Sequence, residues 1–210
     1  MNPIVQHSLP AGIEEAFEEG ARRASEFFEG KSDLHQALER LTERLQQLNI
    51  PYAIVGDMAL HAYGYHRMTE EIETLMRPEG LAAFKKNCLG RGYVEKFPGS
   101  KSLRDATCNV PIDVLLTGDY PGDGKEKPVS FPDPAIAAIP GQRYALLPLE
   151  NLIELKLASG MTAPHRLRDL ADVLELIRIR QLDRNFAESL SPWVRKRYLE
   201  LWQAAQQSDG

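Results

Sequence analysis

The stretch IPYAIVGDMALHAYGYHRMTEEIETLM, residues 50–76, decides how the rest of the chain is read. Pro51 ends the helix before it, and Tyr52-Ala53-Ile54-Val55 is a continuous apolar run that stops at Gly56, as a strand buried on both faces does. Asp57 to Gly64 (DMALHAYG) is a short helical segment closed by its glycine. Glu71 to Met76 then opens with the alternation of a half-buried strand, Ile72 pointing inward and Glu71 and Glu73 projecting together on the opposite face. The outcome is a compact strand–helix–strand unit with two carboxylates on one side.

Working outward, Leu34, Ala37, Leu38, Leu41, Leu45 and Leu48 form an i, i+3, i+4, i+7 stripe, so a helix capped by Ser32 or Asp33 precedes the first strand. Residues 12–29 read as a peripheral helix that ends at Gly30. Downstream, the pattern predicts a helix over Glu79–Leu89 and strands over Tyr93–Phe97 and Asn109–Leu116, with Asp113 pointing away from Ile112 and Val114. Residues 117–128 (TGDYPGDGKEKP) are glycine, proline and charge, hence a solvated loop, and Arg143–Leu147 is one more strand. From Pro148 the pattern turns helical: Leu149–Ser159, His165–Arg180 and Ser189–Gln206. The expected fold is α+β, a small mixed sheet with flanking helices, divided as an N-terminal helical extension (1–32), an α/β domain (33–147) and a helical C-terminal part (148–210).

Composition excludes several classes. The 210 residues are 43% hydrophobic and 26% charged, values of an ordinary globular chain with enough apolar mass for a sizeable core. Lys and Arg number 25 against 30 Asp and Glu, a net charge of −5, so no global basic field draws nucleic acid. Cys88 and Cys108 stand alone, without the spacing of a zinc site or a disulfide framework. No apolar run reaches the roughly 20 residues of a membrane span, and the acidic N-terminal stretch lacks a signal-peptide pattern. The expected compartment is the cytoplasm.

The chemistry resides in the acids. Glu71 and Glu73 share a face, and Asp113 joins them if its strand lies alongside. Three converging carboxylates repel unless a cation neutralises them, and an oxygen-only donor set suits Mg²⁺ or Mn²⁺. With a nucleoside triphosphate supplying the remaining oxygens, such a site performs nucleotidyl transfer. Gly56, at the junction of strand and helix, lets backbone approach a phosphate closely. Asp57 brings an acid to the same turn, and its simplest role is to cap the helix. Arg67 either touches phosphate or base, or pairs with Glu70. Lys156, among Leu152, Ile153, Leu155 and Leu157, either snorkels from a buried face or neutralises phosphate. The histidines, His61 and His66 among them, lack the spacing that metalloproteases use and read as structural or surface residues.

Residues 50–76 resemble the signature of the DNA polymerase β-like nucleotidyltransferase superfamily, and are similar in particular to small bacterial AbiEii-type toxins. In that signature an apolar strand ends in Gly-Gly or Gly-Ser, a short helix follows, Asp-x-Asp lies on the next strand and a third Asp on a later one. Gly56 matches the first glycine, Glu71 and Glu73 stand at the paired acids and Asp113, in VPIDVLL, at the third. The later stretch LPLENLIELKLASGMTAPHRLRDLADVLELI resembles the family's helical part, with Lys156, Arg168, Asp169 and Asp172 facing the cleft. The resemblance spans about residues 35–180. It implies metal binding by Glu71, Glu73 and Asp113, a triphosphate against Gly56, Asp57, Arg67 and Lys156, and an acceptor that is RNA, protein or a small molecule. An inhibitor protein is a further partner it implies. Asp57 departs from the family's Gly or Ser, and Glu71 and Glu73 from its Asp. The alternative expectation is therefore a catalytically inactive member of the fold that binds a nucleotide or a protein.

Overall fold

The computed structural model describes residues 24, 26, 27, 29–141 and 143–207. The helix expected over 12–29 thus lies almost entirely outside the described residues. Helix α1, Asp33–Gln47, buries Leu34, Ala37, Leu38, Leu41 and Leu45 along one stripe, as its periodicity predicts. Ser32 occupies the N-cap position without capping, because its hydroxyl is bonded to His35 Nδ1 at 2.9 Å.

The sequence then runs through β1 (Tyr52–Ile54), α2 (Gly56–Ala62), β2 (Ile72–Met76), α3 (Pro78–Cys88), β3 (Tyr93–Glu95), β4 (Leu103–Asp105) and β5 (Pro111–Leu116). After the 117–133 segment come α4 (Pro134–Ala137), β6 (Ile139–Pro140) and β7 (Ala145–Leu146). Three longer helices close the chain: α5 (Leu149–Thr162), α6 (Leu167–Arg180) and α7 (Pro192–Ala205). Pro78 and Pro192 sit in first turns, where a missing N–H removes no helical bond. The structure adds β4, α4 and β6 to the expected elements. Each spans two to four residues, too short for an apolar period to emerge.

The strands form one mixed seven-stranded sheet in the order β3-β4-β5-β2-β1-β7-β6. Strand β2 lies at its centre, antiparallel to β1 and parallel to β5, with Glu73 opposite Asp113 and Ile72 opposite Ile112. Alternation assigns the two faces. Ile54, Ile72, Met76, Ile112 and Val114 share a core with α1 and α3, including Leu38, Leu41 and Phe84. Ala53, Val55 and Leu75 face the other way and pack with Leu152, Leu157, Val173, Leu176 and Tyr198 of the C-terminal helices. Glu73 and Asp113 alternate with residues of the first face, so they project toward the C-terminal helices. That placement brings the acids of the sheet up against the charges of α5 and α6.

The α1 stripe carries much of the first core. Leu38 is fully buried, and removing its three side-chain carbons leaves a cavity that the sheet and α3 cannot collapse to fill. Leu38→Ala is expected to lower stability by about 2–5 kcal/mol in urea unfolding; a loss below about 1 kcal/mol would show that α1 is peripheral.

Candidate functional site

A cavity of about 920 Å³ opens between the end of the sheet near β2 and β5 and the start of α6. All seven residues singled out in the sequence line it: Gly56, Asp57, Arg67, Glu71, Glu73, Asp113 and Lys156. Glu73 and Asp113 are held side by side by the β2–β5 register. Glu71 lies one residue ahead of β2 and is exposed at the rim, so the strand fixes its position less tightly than that of Glu73.

Glu73 also explains the glycine. Gly56 has φ +59°, and a Cβ placed there would overlap the Glu73 carboxyl. The space that Gly56 leaves is filled by this side chain. Any residue with a Cβ would suffer both the left-handed backbone and the collision.

Burial pushes the Glu73 carboxyl up to about 7, with Asp57 and Glu71 adding to the effect and Lys156 opposing it. Glu71 is likewise raised, first by the partial enclosure of its carboxyl against the cavity wall and then by Asp113 and Asp57. Among the described residues no Lys or Arg is ion-paired with Glu71, Glu73 or Asp113. One cavity wall thus carries three oxygen-donor groups, and the charge of Asp113 raises the proton affinity of Glu71 as that of Glu71 raises the proton affinity of Glu73. By charge and donor type this set fits a hard divalent cation. As placed, the side chains are not gathered around a common point: among the described residues, no group of three or more His, Cys, Asp or Glu is arranged to hold a metal.

Two cations of the cavity, Lys156 and Arg67, are committed to other acids. Lys156 Nζ donates to Asp172 Oδ2 at 2.6 Å and to Asp169 Oδ1 at 3.2 Å, and all three residues are buried. Burial alone would discharge the lysine, but Asp172 and Asp169 overcome it and raise the ammonium's affinity for its proton. Asp169 is held below the usual carboxylate range, burial being outweighed by Lys156 and by bonds from Ser159 and Arg166. The head group therefore neither snorkels to solvent nor stands free for phosphate. Arg67 Nη2 donates to Asp57 and, at 3.1 Å, to Asp172 Oδ2. Of the two alternatives for Arg67, pairing with Glu70 is replaced by pairing with Asp57 and Asp172, because two acids inside the cleft outcompete an exposed neighbour. Asp57 is corrected in the same way. Residue 55 holds the N-cap position of α2 and no side chain caps it, because the Asp57 carboxylate is drawn sideways onto Arg67.

Arg166 was not among the residues singled out. It lines the cavity, half-exposed, and its Nε donates to Asp169 Oδ2 at 2.8 Å and Ser159 Oγ at 3.2 Å. The i, i+3 spacing to Asp169 is the signal that points to it. Arg168, exposed, stands beside it on the same wall. The segment read as a plain solvated loop supplies a further wall through Asp119, Tyr120 and Gly122, pinned where Gly118 N donates to Phe131 O and Phe131 N to Asp119 O, both at 2.9 Å. Lys101 pairs with Asp119 at 3.1 Å across that edge.

No protein-family model matches the sequence, and no curated protein matches it. Solved structures of similar shape include JHP933 from Helicobacter pylori, at 15% identity over 80% of this chain and 90% of that one, with a TM-score of 0.41. Another is ANT(2")-Ia in complex with adenylyl-2"-tobramycin, at 13% identity, 81% and 99% coverage and a TM-score of 0.46. The solution structure of ANT(2'')-Ia, an antibiotic-resistance factor, gives 13% identity, 80% and 92% coverage and 0.45. Among the described residues no helix is long and apolar enough to cross a membrane.

The raised Glu73 carboxyl has a measurable sign. A folded-state value near 7 against an ordinary 4.5 means that the folded chain binds the proton more tightly than the unfolded chain. Stability from this group is complete below pH about 4.5 and is lost as pH rises through 7. Glu73→Gln is expected to flatten that part of the stability curve and to be more stable than the parent at pH 8 by about 2–3 kcal/mol. Parallel curves for the two proteins would show that Glu73 ionises normally. Gly56→Ala is expected to cost at least about 1 kcal/mol, and a neutral result would refute the close approach of Glu73.

Proposed function

We propose that the chain is a nucleotidyltransferase that moves a nucleoside monophosphate from a nucleoside triphosphate to an acceptor hydroxyl. The observation that supports this reading is the register pairing of Glu73 with Asp113 on the wall of the cavity, with Glu71 at the same rim. A cavity of about 920 Å³ has the size of sites that enclose ligands as large as a nucleotide. Its lining is charged on opposed walls, acids on the sheet side and Arg166 and Arg168 on the helix side, which suits a polyanion approached by a divalent cation.

In the transfer, the acceptor oxygen forms a bond to the α-phosphorus and the bond to the pyrophosphate breaks. Asp113 takes the acceptor's proton, and pyrophosphate leaves toward the arginines. Glu71, Glu73 and Asp113 would hold Mg²⁺ or Mn²⁺, which when bound neutralises phosphate charge and acidifies the acceptor hydroxyl. Lys156, enclosed by two aspartates, acts through its positive field, which opposes the rise of the Glu73 carboxyl and favours its charged form. Arg166 is held by Asp169 through Nε, which leaves the other two guanidinium nitrogens to meet an oxyanion.

A second reading is favoured by one observation. The Asp57 carboxylate neutralises Arg67 within the cleft, and this weakens attraction for phosphate. The chain would then bind nucleotide, or a protein partner such as an inhibitor, without transfer.

Calorimetric titration with ATP or GTP in the presence of Mg²⁺, followed by incubation of α-labelled triphosphate with cell extract, separates the readings. Transfer is expected, falling at least 100-fold in Glu73→Gln and Asp113→Asn while triphosphate binding changes by less than tenfold. Binding without label transfer supports the second reading with nucleotide as its ligand, and absence of binding refutes transfer and nucleotide binding alike.

A further inference from the structure

The second face of the sheet is covered unequally. Ala53, Val55 and Leu75 of β1 and β2 are buried under the C-terminal helices, but among the described residues none from β3 or β4 belongs to that core. Alternation decides what the bare portion carries. Tyr93 and Leu103 turn into the first core; Glu95 follows them and pairs with Lys85 of α3 at 2.7 Å, and Asp105 pairs with Arg40 of α1 at 3.0 Å. Val94, Lys96 and Arg104 therefore point to the other face, where Val94 stands opposite Arg104 and is 44% exposed. Both acids of these two strands are engaged on the covered face, and the bare face keeps the cations.

This shelf runs into the cavity. Lys96 N donates to Ser102 O at 3.0 Å, which extends the β3–β4 ladder by one residue, and Leu103 lies opposite Ile112. Lys96 thus falls in the row of Asp113, two strands away and roughly 10 Å along the sheet. Its charge reaches Glu71, whose proton affinity it lowers. The connection from β3 to β4 then presents Phe97, 60% exposed, and Lys101, which lines the cavity. That turn is braced: Gly99 N donates to Glu95 Oε2 at 3.1 Å, Ser100 N to Phe97 O at 2.9 Å and Lys85 Nζ to Ser100 O at 2.6 Å. An aromatic ring is therefore held out in water by a tied segment. Among the described residues Lys96 has no acidic partner and Arg104 donates only to Asn109. Lys101 pairs with Asp119 where both are about half exposed, so little holds that ammonium back from another anion.

We propose that this shelf binds a single-stranded nucleic acid, with phosphates on Lys96, Lys101 and Arg104 and a base stacked on Phe97, and that it leads the strand's terminal hydroxyl toward Asp113. A single strand matches both features of the surface, because it offers π-faces to an exposed ring and phosphates to unpaired cations. An acidic peptide would use the cations and leave Phe97 idle, and a duplex hides its base faces. The net charge of −5 is compatible with this, since the field that a bound phosphate meets is set within a Debye length of about 8–10 Å. Strand binding stands on the shelf alone; that the strand is the acceptor rests on the transfer reading above.

The test uses the full chain without triphosphate, so binding is read separately from transfer. Fluorescence anisotropy of a labelled, unstructured RNA strand of about 12 nucleotides is expected to show binding that weakens with salt, with a logarithmic slope of about −2 for three phosphate contacts. Lys96→Ala is expected to reduce the steepness of that slope by about 0.7, and Phe97→Ala to weaken binding at least about fivefold. Arg197→Ala, on α7, should bind like the parent. Lys96 and Phe97 are exposed, so their variants are expected to fold, and unchanged melting temperatures verify this. Equal binding by the parent and Phe97→Ala, or competition by a duplex of the same length or by polyglutamate as strong as that of the strand, would overturn the proposal. Strand binding that persists while no label is transferred refutes the transfer reading and supports the shelf; transfer to another acceptor with no strand bound overturns the shelf and supports the transfer reading.

Discussion

Six charged side chains in a chain of contacts determine how the sheet meets the C-terminal helices: Asp57, Arg67, Asp172, Lys156, Asp169 and Arg166. Signs alternate along the series, three acids against three bases, so the array is neutral although three of its members, Asp172, Lys156 and Asp169, are buried. Removing water from any one of these groups would cost several kcal/mol, and only the presence of its neighbours offsets that loss. The series joins α2, the connection to β2, α5 and α6. The cleft exists between these elements because their charges must be brought together, while Glu71, Glu73 and Asp113 stand beside the array and take no part in it.

That separation shapes the electrostatics of the cleft. Compensated charges form its floor and one side; uncompensated carboxylates form the other. A group whose proton is held near neutrality, as on Glu73, indicates that the protein fold supplies the enclosure but not the counter-charge. The acids are kept apart from the lysine by strand geometry: Glu73 is fixed by β2 and its fit against Gly56, whereas Lys156 is pulled away by two aspartates on the next helix. The rigidity of the central strand therefore maintains an unfavourable charge arrangement that a flexible loop would relax.

Much of this was readable from local pattern. The β1–α2–β2 unit follows from an apolar run, a glycine and an alternation, each of which acts within a few residues, and the α1 stripe and the breaks at Pro51 and Pro148 are equally local. The seven residues chosen for the site do line one cavity. What the pattern could not convey was partnership. Arg67 meets Asp172 across 105 positions and Arg40 meets Asp105 across 65, and no spacing rule links such pairs. Gly56 was legible as a residue that must lack a side chain, but the agent filling its space, Glu73, appears only in three dimensions. Strand β4 was missed because Leu103-Arg104-Asp105 has one apolar residue followed by two charges, and its pairing with both β3 and β5 is what makes it a strand.

Arg67 has a last feature of interest. Its Nη2 serves two carboxylates, yet Nε and Nη1 are buried and lack an acceptor among the described residues. Two stranded donors next to a filled one make the guanidinium under-used, and an enclosed N–H without an acceptor costs about 1–3 kcal/mol. The resting protein thus carries a debt at this spot. Any oxygen-rich guest reaching that edge of the arginine would recover the deficit on arrival, and so would gain more by binding there than its own contacts account for.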